Sequence, residues 1–184
     1  MKILVACEFS GKLSSFFRRR GHSVVSCDLK QGKYSRYHYQ GDVKDILHLG
    51  FDALFGFPEC RYLCLSGVRW LHEDPWRWWH MEQAVDFFYL LWDSGIPKIC
   101  LENPVHHSYA QLPPYSQIVH PWQFSHGETK ATCLWLKGLP KLEPVRVMKA
   151  RKHVIAELPP GEGRSMQRSV SYTGMMRAMA DQWG

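Results

Sequence analysis

Short, wholly apolar runs alternate along this chain with amphipathic stretches, and that alternation predicts an α/β fold. Residues 2–7 (K-I-L-V-A-C) have the composition of a strand buried on both faces. A turn signal follows at Glu8-Phe9-Ser10-Gly11. Leu13, Phe16 and Phe17 then fall at helical spacing, Arg18, Arg19 and Arg20 gather where cations favour the helix dipole, and Gly21 supplies a stop. Residues 23–27 (S-V-V-S-C) predict a second strand with Asp28 at its end. This strand-turn-helix-strand order builds parallel sheets. Residues 51–57 predict a third strand, ending at Pro58-Glu59-Cys60. Residues 75–94 predict a helix with Trp79, Ala84, Phe87, Phe88, Leu91 and Trp92 on one broad apolar face. Residues 99–101 predict a fourth strand, ending at Glu102-Asn103-Pro104. Residues 30–39 and 61–75 read as loops, and 41–47 as a turn leading into a short helix. Strands are expected at 117–120 and 132–136, and a last helix at 173–183 with Met176, Met179, Ala180 and Trp183 inward. The expected architecture is a mostly parallel, Rossmann-like sheet with helices on both faces.

A length of 184 residues fits one domain. Residues 138–168, rich in Pro and Lys/Arg, form a basic, loop-rich insertion in this reading. The net charge of +6 and the 8 Trp favour an acidic, stackable partner such as nucleic acid, against the alternative of a merely basic, soluble surface. The opening apolar run is too short for a leader or a membrane span, and no later stretch reaches spanning length without charges. A soluble, cytoplasmic protein without membrane contact is expected, its six cysteines reduced. Cys60-x-x-x-Cys64 and the adjacent His106 and His107 lack a second cluster at zinc spacing, so no metal is expected.

Four polar clusters fall at predicted strand ends: Glu8–Gly11, Asp28, Pro58–Cys60 and Glu102–Pro104. In an open parallel sheet, ligands bind beyond the carboxyl ends of the strands. The first turn lacks the three glycines that a diphosphate requires, which leaves room for a phosphate-free nucleoside ligand such as S-adenosylmethionine. Asp28 would take ribose hydroxyls and Asp42 an adenine edge; equally, Asp28 would cap a turn and Gly11 merely permit it. Cys60 is a candidate nucleophile, although a small buried hydrophobe is the commoner fate of a free cysteine. Glu102, at the end of an apolar strand, is a carboxyl whose pKa burial would raise, making it a proton donor near neutral pH.

Taken in order, E-F-S-G (8–11), C-D-L (27–29), G-D-V (41–43), F-P-E-C (57–60) and E-N-P (102–104) resemble the motifs of the cytosine-5 methyltransferase family. The likeness is nearer to the short, single-domain relatives encoded by bacteriophages and bacteria. Those relatives share the T-K-A-T-C-L-W-L segment (129–136) and the A-M-A-D-Q-W-G ending (178–184). The resemblance implies an S-adenosylmethionine-dependent methyltransferase fold over residues 1–184, with no separate target-recognition domain. It implies methyl transfer to C5 of cytosine in DNA through a covalent cysteine intermediate. Carried over residue by residue, Cys60 is the nucleophile and Glu102 the acid that assists at N3. Phe9, Ser10, Gly11 and Pro58 line the cofactor with Asp28 on the ribose and Asp42 on the adenine. Asn103 and Pro104 shape the base pocket; outside the carried-over motifs, Lys130, Arg61 and Arg69 are further candidates for substrate contact.

Three departures stand out. Glu59 replaces a second proline and sets a carboxylate beside the thiol, which would raise its pKa. The family's arginine pair has no evident counterpart, and Lys130 is the positional substitute. Recognition would fall to residues 30–40, 61–75 and 138–168, or to a second subunit or homodimer partner. Arg146, Lys149, Arg151, Lys152, Arg164 and Arg168 supply positive charge there, and Trp76, Trp78 and Trp79 supply rings for stacking. Two alternatives stay open: base modification of RNA or free nucleotides, and a degenerate fold that binds DNA or a partner without turnover.

Overall fold

Strands β1 (Lys2–Ala6), β2 (Ser23–Asp28), β3 (His38–Gln40), β4 (Ala53–Gly56), β5 (Lys98–Pro104), β6 (Gln117–Val119) and β7 (Thr132–Lys137) form one sheet in the order β3-β2-β1-β4-β5-β7-β6. The computed structural model describes residues 1–33, 35–149 and 172–184. The first five strands in that order run parallel, and β7 pairs antiparallel with both β5 and β6. This is the mostly parallel α/β sheet that the sequence predicts.

Alternation along the central strands divides the core in two. Ile3 and Val5 of β1 face one side with Phe55 of β4. Helix α1 (Lys12–Arg19) and helix α4 (Thr173–Trp183) cover that side through Leu13, Phe17, Met176, Met179 and Trp183. Leu4 and Leu54 face the other side and meet helix α3 (Trp76–Trp92) through Phe88 and Leu91. Fully burying side chains of this size stabilises by about 1.5–3 kcal/mol each, so the helices are held by their faces more than by propensity. Gly21 ends α1 at φ 84°, where its N–H reaches the carbonyl of Arg18 at 2.9 Å.

Several expectations are corrected in detail. Trp79 is 53% exposed, whereas Met81, Phe88 and Leu91 are the buried residues of α3. Trp79 lies two residues before Met81, roughly 200° around the helix, and so faces away from the core. β3 carries no apolar period, which is why its sequence reads as loop. The 61–75 segment contains a short helix α2 (Trp70–Glu73). β5 runs past residue 101 to Pro104, because Glu102, Asn103 and Pro104 pair with Leu134, Cys133 and Thr132 of β7.

Residues 138–149 are tied to the body of the protein. Leu142 is fully buried and exchanges two 2.8 Å hydrogen bonds with the Gln117 side chain. The Met148 N–H donates to the Trp122 carbonyl at 2.8 Å. Arg146 and Lys149 are exposed. Arg151, Lys152, Arg164 and Arg168 lie outside the described residues.

Candidate active site

The strand order reverses between β1 and β4, and at such a switch point the loops leaving two neighbouring strands part to open a crevice. The loop after β1 (Cys7–Gly11) and the loop after β4 (Phe57–Cys60) flank that point. Cys7 takes φ 59° there, a left-handed conformation that costs a non-glycine residue about 1–2 kcal/mol and swings the chain away from the sheet. Gly11, buried at φ 66°, completes the turn into α1.

Glu8 fills the start of that helix. Its carboxylate accepts from the Leu13 N–H at 2.6 Å, from the Ser14 N–H at 3.3 Å and from the Ser10 hydroxyl at 3.3 Å. It is 3% exposed, and burial raises its pKa against the opposing pull of those hydrogen bonds. In the sequence Glu8 reads as part of a turn and of the E-F-S-G motif, and an acid just upstream of a helix is the signal for this capping role. Phe9 projects outward at 44% exposure, with the Lys30 ammonium 5.4 Å from its ring.

Asp28 and Asp42 occupy the next two strand ends. Asp28 Oδ1 accepts from the Lys30 N–H at 2.9 Å, and Asp42 Oδ1 caps a short 3-10 turn by accepting from the Lys44 N–H at 3.0 Å. Asp28 therefore does the turn-capping that the plainer reading anticipates, and Asp42 caps a turn as well. Among the described residues the second oxygen of Asp28 takes no hydrogen bond. Both carboxylates act on the thiols of Cys7 and Cys27, which desolvation first and these charges second push up to about 12. Asp28, Asp42 and Cys7 thus share one side of the crevice.

On the other side, Cys60 opens a tight turn whose carbonyl accepts from the N–H groups of Leu63 at 3.1 Å and Cys64 at 2.9 Å. That turn stacks the two thiols. Hydrogen bonding to Cys64 is the largest influence on Cys60 and, with desolvation, drives its pKa well above the ordinary thiol range. Glu102 pushes it the same way, and Lys130 pulls it down. Glu102 is itself raised by burial, while Lys130 and a hydrogen bond with buried Thr132 oppose that shift. Thiol, carboxyl and ammonium are therefore within electrostatic reach of one another, delivered from positions 60, 102 and 130. Glu59 does not have the effect expected of it. It is exposed, pairs with Arg61 at 3.4 Å, and is not among the influences on Cys60. The partner that matters is Cys64, which the sequence shows as a C-x-x-x-C pair but which spacing alone associates with metals.

Pro58 is buried beneath this turn. Asn103 is 1% exposed, and among the described residues neither its Oδ1 nor its Nδ2 has a hydrogen-bond partner. Pro104 is half-buried at the end of β5. The segment beyond it holds the 60–68 loop in place: the Leu65 N–H donates to the Val105 carbonyl at 2.8 Å, and the His107 N–H to the Leu63 carbonyl at 3.0 Å. Arg61 and Arg69 lie on the exposed surface of that loop, Arg69 with its guanidinium 4.5 Å from the Trp70 ring centroid. Trp70, Trp76 and Trp79 are 43%, 74% and 53% exposed, whereas Trp78 packs edge-on against His72 and Tyr109. Among the described residues, no group of three or more His, Cys, Asp or Glu is arranged to hold a metal, and no helix is long and apolar enough to cross a membrane.

No family model and no curated protein sequence matches this chain. Solved structures do. A protein of E. coli, described as a DNA modification methyltransferase encoded within a prophage, superposes with a TM-score of 0.55 at 16% identity, over 86% of this chain and 55% of that one. The methyltransferase EhMeth of Entamoeba histolytica gives 0.47 at 14% identity over 88% and 60% of the two chains. The Dnmt2 methyltransferase of S. pombe gives 0.49 at 12% over 77% and 51%. This chain thus spans little more than half the length of these neighbours. The prophage likeness is one of fold: both chains carry a mostly parallel, Rossmann-like α/β sheet.

Proposed function

We propose that this protein is an S-adenosylmethionine-dependent methyltransferase that acts on C5 of cytosine in DNA through a covalent bond to Cys60. The observation that carries the reading is the meeting of Cys60, Glu102 and Lys130 at the carboxyl edge of the sheet, across the switch point from the Asp28 side.

The residues around the crevice suit a nucleoside without phosphates. Glu8 takes the N–H groups at the start of α1, so a diphosphate would find a carboxylate where it needs donors. Asp28 has an oxygen to spare for a ribose, Asp42 lies beyond it toward the adenine, and Phe9, Ser10, Gly11 and Pro58 border the methionine end. S-adenosylmethionine would supply an electrophilic methyl group there.

In this reading the Cys60 thiolate adds to C6 of cytosine while the Glu102 carboxyl gives a proton to N3. The ring becomes an enamine, and C5 turns nucleophilic. A raised carboxyl pKa suits that step, because the proton must be present near neutral pH. Once C5 carries the methyl group, loss of the C5 proton to water, departure of the Cys60 sulfur as thiolate and return of the N3 proton to the Glu102 carboxylate restore the aromatic ring. Lys130 favours both the thiolate and the carboxylate; Asn103 and Pro104 shape the base pocket. Arg61, Arg69 and the exposed Trp70, Trp76 and Trp79 form the nucleic-acid side of the site. Residues 1–184 act as a single catalytic domain, with target choice left to residues 61–75 and 138–168 or to a second subunit.

The test is transfer of a labelled methyl group to cytosine-containing duplex DNA, compared with RNA and deoxycytidine nucleotides. Transfer to DNA that disappears in Cys60→Ser is expected; transfer that survives the substitution removes Cys60 from the chemistry. One observation favours a second reading. The Cys60–Cys64 hydrogen bond holds the nucleophile protonated, as a module that binds DNA or a partner without turnover would tolerate. Calorimetric binding of the cofactor with no product on any acceptor would select it.

A further inference from the structure

An open groove of about 530 Å3 runs along the outer edge of the sheet, away from the site described above. β3 begins at His38, opposite Ser26, so residues 23–25 of β2 have no strand on their outer side, and the groove takes that place. Arg18, from the last turn of α1, forms one wall. Arg36, Tyr37 and His38, from the chain entering β3, form another. Among the described residues no carboxylate lines it.

The charges in this groove are unbalanced. The guanidinium carbon of Arg18 lies 4.7 Å from the centroid of the Tyr37 ring, and that of Arg36 lies 5.5 Å from the same centroid. Two cations sharing one ring repel each other, and neither has an ion pair among the described residues. Arg18 Nη1 is shielded from solvent and makes no hydrogen bond among the described residues. The neighbouring arginine is treated differently: Arg20 pairs with Asp181 and donates to the Phe16 carbonyl at 3.0 Å. An anion between the two forks would relieve the repulsion. A tetrahedral oxyanion matches the geometry of a guanidinium fork.

We propose that this groove is a phosphate-binding site, with Arg18 and Arg36 as donors, for the backbone of a nucleic-acid strand or the terminal phosphate of a nucleotide. It is independent of the methyl-transfer reading, since it needs neither Cys60 nor a cofactor.

Fluorescence anisotropy with a short labelled oligothymidylate, and competition by deoxyadenosine monophosphate, provide the test. The proteins compared are the wild type, Arg36→Gln, and Arg18→Gln with Arg36→Gln. Arg36 is exposed on a short 3-10 turn, so its substitution leaves the core untouched. Each lost charge-assisted contact should weaken binding about tenfold or more. It should also flatten the dependence of log affinity on log salt by roughly 0.7. Displacement of the oligonucleotide by the monophosphate would assign the site to a terminal phosphate; its failure to compete would assign it to the phosphodiester backbone. Wild-type affinity and salt slope in both variants, or no binding by the wild type, would overturn the proposal.

Discussion

Replacing Cys64 by Ala should make Cys60 more reactive, because Cys64 is the largest influence holding the Cys60 proton in place. Cys64 is half-buried, and its sulfur otherwise contacts the Ser66 hydroxyl at 3.3 Å, so little packing is lost. A hydrogen bond of this kind contributes roughly 0.5–1.5 kcal/mol, and about 1.4 kcal/mol corresponds to one pKa unit, so this contact alone accounts for up to about one unit. Below the thiol pKa, one unit gives about tenfold more thiolate. A thiolate of lower basicity is intrinsically slower by a factor of about three, which leaves a net gain of about threefold. The assay is alkylation of the native protein by iodoacetamide at fixed pH, with the Cys60 peptide followed by mass spectrometry. Cys27, Cys100 and Cys133 are buried and serve as slow internal standards. Lys130→Met should shift the rate the opposite way, since the ammonium lowers the Cys60 pKa. A Cys60 rate unchanged or slowed in Cys64→Ala, with the folded state intact, would refute the thiol–thiol bond as the restraint.

Two further outcomes concern stability. Burial raises the Glu8 pKa above its ordinary 4.5, so the folded state prefers the protonated acid. That preference is fully present below pH 4.5 and is lost as the pH rises through the folded value; Glu8→Gln should therefore gain on the wild type in thermal melts as the pH rises. A difference independent of pH would contradict it. Trp183 is 3% exposed, donates from its indole N–H to the Pro140 carbonyl at 3.1 Å, and stacks on Phe55 with ring centroids 6.0 Å apart. Trp183→Ala should cost about 3–5 kcal/mol in denaturant unfolding; a loss below 1 kcal/mol would deny the last helix its place in the core.

The buried strands were legible because β1 and β4 are apolar on both faces and leave little choice of element. The end of α1 was legible from Gly21. β3 was not, since three residues at an edge need no apolar pattern. Nor was the orientation of Trp79: an aromatic-rich helix offers several stripes, and only packing decides which is buried. For the site, strand ends gave the positions of Asp28, Cys60 and Glu102, but spacing along the chain carries no information about which neighbour controls a thiol. Glu59, adjacent in sequence, turns outward to Arg61, and Cys64, one turn away, turns in.

The antiparallel pairing of β5 with β7 makes the candidate chemistry sensitive to a single residue of register. Glu102 stands opposite Leu134 and Asn103 opposite Cys133, on opposite faces of the sheet. Deleting one residue ahead of Glu102 within β5 would carry the acid to the amide's face and the amide to the acid's. The two strands would still pair, yet the proton donor would be on the wrong side of the sheet. Length variation should therefore be forbidden within the two strands.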